Sequence, residues 1–396
     1  MPTILTGVVD DADILSNQRV VDMSPTIAML EPDEAPLTTM LQKTSKRAAY
    51  SQKVEWLSDE LVPRLTTLSA SATSAATALS VATGTGTYFR PGDVIRIAST
   101  GENCAVSAVS ADTVYLVSRS LGGVTAVSPL PSPITSVSAA SGVDIIKVGN
   151  AAAEGATLGT LIQTKKVANY NYAQIQRDPW GFTNTLVASK LYGGPEPANE
   201  AKKKLIEHKR QMENTLFWGV RDLVTTGSAP IGYVGGLYQY IQSNLTASVG
   251  ALTEAIFETF LRKAFRYGSQ NKVMFCSPLV ASALSSFPQG KLAPPSPSID
   301  TFGVSLSKYQ SASGAMVDIA VKRDWYDFAS AGNQYGGIGV VVDMDDITMR
   351  PLRDTVLKPD RQANDEDSIK QEYLTEWSLE IGLEKKHAII SGITGY

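Results

Sequence analysis

Glu372-Tyr373-Leu374-Thr375-Glu376-Trp377-Ser378-Leu379-Glu380-Ile381-Gly382-Leu383-Glu384 is the stretch that decides how this chain folds. Tyr373, Thr375, Trp377, Leu379, Ile381 and Leu383 alternate with Glu372, Leu374, Glu376, Ser378, Glu380 and Gly382, which is the two-residue period of a long strand. Upstream, Met316-Val317-Asp318-Ile319-Ala320-Val321 and Ile338-Gly339-Val340-Val341-Val342 predict further strands, and Lys272-Val273-Met274-Phe275-Cys276 predicts a buried one. Ser277 is placed to cap, and Pro278 to open, a helix from Leu279 to Phe287, so this part reads as an α/β unit. Ala198, Ala201, Leu205, His208, Met212 and Leu216 recur at steps of three and four. They predict a long amphipathic helix opened by Pro195-Glu196-Pro197 and ended near Gly219. Lys202, Lys203, Lys204, Glu207, Lys209, Arg210 and Glu213 fall mostly outside its apolar stripe. Thr253 is the cap of a second helix with Ile256, Phe260 and Ala264 on its apolar face, Leu252 and Phe257 as staple, and Gly268 as stop.

The first half of the chain is built differently. Pro2, Pro25 and Pro32 interrupt residues 1–33, which read as an extended arm. Pro36-Leu37-Thr38-Thr39-Met40-Leu41 gives a short helical turn, followed by Val54-Glu55-Trp56-Leu57 as a strand running outward. Its return is Val167-Ala168-Asn169-Tyr170-Asn171-Tyr172-Ala173-Gln174-Ile175. A two-stranded ribbon of this kind is not stable alone and must lean on its own subunit or another. Between the two arms, Leu65 to Gly142 is rich in Ser, Thr, Ala, Gly and Val and poor in charge. Turn signals at Pro91-Gly92-Asp93, Gly101-Glu102-Asn103, Ala111-Asp112 and Gly122-Gly123 separate Val94–Ile97, Ala105–Val109 and Val114–Val117. Short strands at this spacing predict an inserted small barrel or sandwich, with Ser69–Ser80 and Ser128–Ser141 as connectors.

The composition narrows the function. The 396 residues are 43% hydrophobic, enough for two or three packed units. With 35 Lys plus Arg against 39 Asp plus Glu, the net charge is -4, which disfavours a basic nucleic-acid reader. Met1 to Asp13 has neither the cationic start nor the apolar stretch of an export signal, and no run reaches membrane-spanning length, so the expected site of synthesis is the cytosol. Cys104 and Cys276 specify neither a disulfide framework nor a thiolate metal site and read as buried fillers. His208 and His387 are the only histidines, which argues against catalysis. No catalytic, cofactor-binding or metal-binding set is complete. Asp343, Asp345 and Asp346 read as a solvated strand end rather than a cation site. Gly84-Thr85-Gly86 lacks the lysine and helix of a phosphate loop, and Ser277 beside Cys276 reads as a cap rather than a nucleophile. The candidate subunit-interface residues are Trp56, Tyr170, Tyr172 and Trp180 on or near the ribbon, and Lys202, Lys203 and Arg210 on the long helix. For the two tryptophans, burial within their own subunit is the equal alternative; the basic residues read first as a solvated helix face, then as a contact to DNA on the inner surface, with charge pairing to a neighbour as a third use.

The order arm, ribbon, long helix, α/β unit and returning strands resembles the tailed-phage major capsid family with the Hong Kong-type fold. Pro36 to Leu41, Glu55-Trp56, Gly235-Gly236-Leu237, Leu252-Thr253-Glu254-Ala255, Ala264-Phe265-Arg266-Tyr267-Gly268, Cys276-Ser277-Pro278 and the Glu372 to Glu384 strand carry the resemblance. It implies an α+β chain with an N-terminal arm at 1–35 and an extended ribbon loop at 36–65 and 146–185. It further implies an inserted β module at 66–145, a peripheral domain with the spine helix at 186–268, an axial domain at 269–345 and returning strands at 346–396. Some members of that family begin with a long helical scaffolding segment removed by a protease; here the ribbon begins soon after Met1, so no fused scaffold is expected. The function implied is a head-shell protein of the virion that forms pentamers and hexamers around double-stranded DNA, touching it at most weakly. It would need no cofactor and no membrane, with scaffolding, portal and decoration proteins as further partners. An encapsulin-like compartment, or a tail or adhesion protein whose β module binds glycans, are the alternatives.

Overall fold

The computed structural model describes residues 35–118, 121, 139–157, 159–189, 196–227, 229–247, 249–287, 292–293, 300–301, 304–305, 307–325 and 334–395. The arm at 1–33, the Pro195 helix opening, the Gly122-Gly123 turn and most of the Ser128–Ser141 connector lie outside them. The chain divides into two compact units, Leu57–Val167 and the remainder.

The remainder is organised on a seven-stranded sheet. Lys272–Cys276 sits at its centre, parallel to Met316–Val321 on one side and antiparallel to Gly339–Asp343 on the other. Ala388–Ile390 and Leu245–Thr246 extend it one way, Ser307–Gln310 and Leu292–Ala293 the other. Lys272–Cys276 and Gly339–Asp343 are buried at every position, because helices or strands cover both faces of the sheet. On one face, Met274, Cys276 and Val341 pack with Phe257, Phe260 and Leu261 of helix Glu254–Ala264 and with Val280 and Leu284 of helix Pro278–Ser286. Thr253 and Ser277 cap these helices, each hydroxyl accepting a backbone N–H at 3.4 Å, and Leu252 joins Phe257 in the same cluster. Gly268 does not stop the first of them: the helix ends at Ala264, and Gly268, with φ +89, shapes the turn beyond.

The other face of the sheet meets the long helix Glu196–Trp218 through Phe275, Val340 and Val342 against Met212, Leu216 and Phe217. Leu37 and Leu41 of helix Pro36–Thr44 complete this core with Trp377, Leu379 and Ile381. Those last three belong to Ser368–Ile381, the middle strand between Ile347–Lys358 and Gln174–Thr183. The alternation in this strand predicts one wet face, yet Glu372, Glu376 and Ser378 are buried too. For the two glutamates the reason is charge pairing. Arg177 and Arg361 hold Glu372 at 2.6 and 3.1 Å, Arg353 holds Glu376 at 2.6 Å, and Arg350 holds Glu380. The return stretch 167–175 also departs from a single strand. It breaks at Ala173: Val167–Tyr172 pairs with Lys53–Ser58, while Gln174–Thr183 leaves to join the three-stranded sheet.

The Leu57–Val167 unit is a six-stranded sheet ordered Leu65–Thr67, Asp144–Asn150, Asp93–Ile97, Asn103–Ser110, Thr113–Ser118, Ala78–Ser80. Its two edges meet. Ser69 N donates to Ser80 O and Ala82 N to Thr67 O, both at 2.9 Å, on either side of a Leu68–Val81 bridge. The sheet therefore closes into a small barrel around Leu68, Leu79, Val81, Ile95, Ile97, Cys104, Val114 and Ile145. Ser69–Ser80 is thus no loose connector, since it supplies the closing strand and the fully buried Leu79. Two acidic residues of this unit are buried, Asp93 and Glu102; Asp93 takes the Lys147 ammonium at 2.5 Å and the Asn150 amide at 2.9 Å.

Candidate functional site

The ribbon strands Lys53–Ser58 and Val167–Tyr172 leave the larger unit at a root built from both sides. Lys53–Ser58 alternates cleanly: Val54 and Trp56 turn inward onto Ala49, Tyr240 and Leu352, while Lys53 and Glu55 face out. The Trp56 ring lies 6.0 Å from that of Tyr240. Tyr240 then reaches the other strand, its hydroxyl donating to the Tyr170 carbonyl at 2.5 Å. Burial pushes the Tyr240 phenol above its ordinary pKa, with neighbouring Arg221 pulling the other way, so at neutral pH the group keeps its proton and donates. Arg221 donates to the same carbonyl at 2.8 Å and stands 4.1 Å over the Tyr170 ring. Tyr172 packs edge-on against Tyr170 at 5.6 Å.

Asn171, between the two tyrosines and fully buried, points the opposite way. Its amide nitrogen donates to Gly235 O at 3.0 Å and Leu379 O at 2.8 Å, while its oxygen accepts from Gly235 N at 2.9 Å. Gln174 repeats the device one turn of pleat later, accepting from Val234 N at 3.1 Å. A Cβ on Gly232 would stand 2.5 Å from Ala173 O, so the hairpin Asp222–Val224/Ile231–Tyr233 lies flat against the end of the ribbon's return strand. Several apolar side chains of the segments that build this root are exposed beside Lys53 and Glu55: Tyr50 is 92% exposed, Val220 64%, Ile231 53% and Ile175 52%.

The structure brings Trp56, Tyr170 and Tyr172 together at the ribbon root, with Tyr240 between Trp56 and Tyr170. Trp180 sits elsewhere, 4.9 Å from the Tyr373 ring. Both tryptophans are 8% exposed, so each is buried within its own chain. On the long helix, Lys202 is exposed and Lys203 lies 3.5 Å from Glu200, while Arg210 is half-buried. Glu213, expected outside the stripe, is fully buried. Its carboxylate accepts from Leu37 N at 3.1 Å, Thr38 N at 2.6 Å and Thr38 Oγ1 at 2.7 Å, and faces the Lys322 ammonium at 3.4 Å. It thereby caps helix Pro36–Thr44, whose own N-cap position is Ala35.

Both histidines are structural. His208 Nδ1 bonds the Asp178 carboxylate and Nε2 lies 2.7 Å from Thr375 Oγ1. His387 Nδ1 accepts from Asp343 N at 3.1 Å, and burial lowers its pKa to about 4. Asp343 is not a solvated strand end. It is buried, accepting from Ser269 N and Oγ, both at 2.7 Å, and from Asp345 N at 3.2 Å. Burial raises its pKa, but those hydrogen bonds and Lys272 outweigh it and hold the carboxyl below its ordinary value. Lys272 is itself caged by the carbonyls of Ala264, Tyr267 and Lys386 at 2.5–2.7 Å. Among the described residues no His/Cys/Asp/Glu group is placed to hold a metal, and no helix is long and apolar enough to cross a membrane. Cys104 and Cys276 are buried, the latter's thiol pushed up to about 12 by burial.

Sequence reading missed Arg221, Tyr240, Asn171 and Glu213. Only Asn171, a polar interruption between two tyrosines in an alternating run, carried a local sign of its role.

The buried charges of this body are largely spent on internal pairing, and a two-stranded ribbon leaves it beside exposed apolar side chains. The chain belongs to the SU10 major capsid protein family, whose model matches residues 7–394. A major capsid protein of Pseudomonas phage PaMx41 is 24% identical over 254 residues, 61% of this chain and 58% of that relative. The match thus spans less than two thirds of the relative's length. Among solved structures, the capsid of Myoviridae phage XM1 aligns over 96% of this chain and 98% of its own at 9% identity, with a TM-score of 0.46. Microbacterium phage Oxtober96 aligns over 96% and 98% at 10% identity, with a TM-score of 0.47.

Proposed function

We propose that this chain assembles with copies of itself, as pentamers and hexamers, into the icosahedral head shell that encloses the double-stranded DNA of a tailed bacteriophage, and that it has no catalytic activity. The observation that carries the reading is membership of a major capsid family over residues 7–394. The structure supplies support in physical terms. Tyr50, Ile175, Val220 and Ile231 are exposed on segments next to the ribbon strands and would gain free energy, about 25 cal/mol per Å² of apolar surface, if a neighbour covered them. His208 is held by Asp178 and Thr375, and His387 is buried with its Nδ1 bonded to Asp343 N. The slight net negative charge of -4 suits a container whose contents slide rather than stick. Scaffolding, portal and decoration proteins are the further partners of this reading. The compartment-shell reading is the less favoured alternative, and the adhesion reading has no observation of its own.

Sedimentation and negative-stain images of the purified chain, alone and co-expressed with the head genes of its genome, test the proposal. Closed particles of uniform diameter are expected; a monomer under every condition would remove it.

A further inference from the structure

The end of the long helix and the root of the ribbon are joined by three residues, Gly219-Val220-Arg221. Gly219 has no room for a side chain: a Cβ there would stand 2.3 Å from Val234 O and 2.6 Å from Thr215 O. Gly236 N donates to Gly219 O at 2.8 Å, and Gln239 Oε1 accepts from Arg221 N at 2.6 Å. The backbone of Arg221 is therefore fixed to the helix end before its side chain does anything. That side chain then grips one residue of the ribbon twice, by its carbonyl at 2.8 Å and by its ring at 4.1 Å. A planar guanidinium can donate in its plane while stacking through its face; a lysine ammonium cannot do both from one place. The Tyr240 hydroxyl takes the remaining side of the Tyr170 carbonyl and the Tyr240 ring meets Trp56, so both ribbon strands converge on this clamp. The Lys53 ammonium, 4.4 Å from the Tyr170 ring centre, adds a second cation to the same ring.

Arg221 itself is not part of the main core, although Tyr240 packs against that core. Arg221 is only half-buried, and the large hydrophobic cluster under the long helix is complete without it. Its bonds run to Tyr170, Tyr240 and Gln239, which surround the point where the ribbon departs.

We infer that Arg221 is a positioning residue for shell assembly: by holding the carbonyl and ring of Tyr170 against the end of the long helix, it fixes the direction in which the ribbon leaves its subunit. The inference rests on the self-assembly reading above and adds the residue that aims the projecting element. Wild type, Arg221→Lys, Arg221→Ala and Tyr240→Phe are compared by thermal melting, by hydrogen exchange of unassembled subunits, and by electron microscopy of assembled particles. Melting points within a few degrees of wild type are expected, with amides of 53–58 and 168–172 exchanging at least ~10-fold faster in both Arg221 variants. Uniform closed particles should give way to open or mixed-diameter products. Tyr240→Phe, which keeps the ring against Trp56 and loses one hydrogen bond, should fall between. Wild-type exchange in the ribbon of Arg221→Ala, or wild-type particles from it, overturns the inference while leaving self-assembly intact. Failure of the wild-type chain to assemble overturns both.

Discussion

Glu213 and Lys322 show what single buried charges do in this molecule. Each is fully buried, and the Glu213 carboxylate serves both as counter-ion to Lys322 and as acceptor for the exposed end of helix Pro36–Thr44. Glu213→Leu leaves two helix N–H groups without an acceptor and an ammonium partly uncompensated, and should cost about 3–5 kcal/mol. The double variant with Lys322→Met should lose less than the two single changes summed, because the stranded charge is gone. Urea unfolding of the four proteins measures the coupling, and strict additivity would show that the pair does not act as a unit. His387 makes stability depend on pH. Its folded pKa, lowered by burial to about 4, lies below the unfolded value of about 6.5, so the folded state binds fewer protons across that interval. The stabilisation is present above pH about 6.5 and is lost as pH falls toward 4, by on the order of 3 kcal/mol. Asp343, whose pKa is also held low, pushes in the same direction. His387→Asn keeps an acceptor near Asp343 N but cannot titrate. Its unfolding free energy should change less than that of wild type between pH 7 and 5, and parallel losses in the two proteins would place the acid sensitivity elsewhere.

At the scale of elements, the sequence was readable wherever a signal is local. Thr253 and Ser277 sit immediately before their helices, and Val273 to Cys276 needs only its own apolarity to read as buried. What stayed hidden depends on distant partners. The buried face of Ser368–Ile381 looks polar until Arg177, Arg350, Arg353 and Arg361 arrive from two other strands and a loop. Glu213 looks like a solvent residue until a helix 175 positions away presents its N-terminus. The barrel's closing strands were hidden for another reason. Leu65–Thr67 and Ala78–Ser80 are three residues each, too short for a period to show. Closure nevertheless makes them consequential. Leu79→Ala empties a fully buried site beside the seam and should cost the barrel about 2–5 kcal/mol, read as a fall in the melting point of isolated Leu57–Val167. The hairpin between Asn103–Ser110 and Thr113–Ser118 turns through Ala111 at φ +48, a conformation that disfavours a Cβ. Ala111→Gly should therefore raise that melting point, by the equivalent of up to ~1 kcal/mol. A fall would mean that unfolded-state entropy outweighs the relieved strain.

For the whole molecule, the division into Leu57–Val167 and the remainder has a thermodynamic meaning that can be checked. Each unit has its own apolar interior: the barrel closes on Leu79, Ile95 and Cys104, while the larger unit is built on the two faces of one seven-stranded sheet. The chain crosses between them only twice, at Trp56–Leu57 and at Val167–Ala168, on two strands that are hydrogen-bonded neighbours. Cutting there and joining the strands by a two-residue Asn-Gly turn converts the ribbon into an ordinary hairpin without opening either interior. The shortened chain should remain soluble and cooperative, and should keep the higher or the lower of two wild-type melting transitions unchanged. The excised barrel should supply the other. Loss of both transitions on deletion would show that the larger unit depends on the barrel to fold. Survival of the fold together with loss of particles would assign the barrel, or the outer part of the ribbon, to contacts between subunits. Survival of both would leave the shell to the seven-stranded body and the ribbon root, where Tyr50, Val220 and Ile231 await a neighbour.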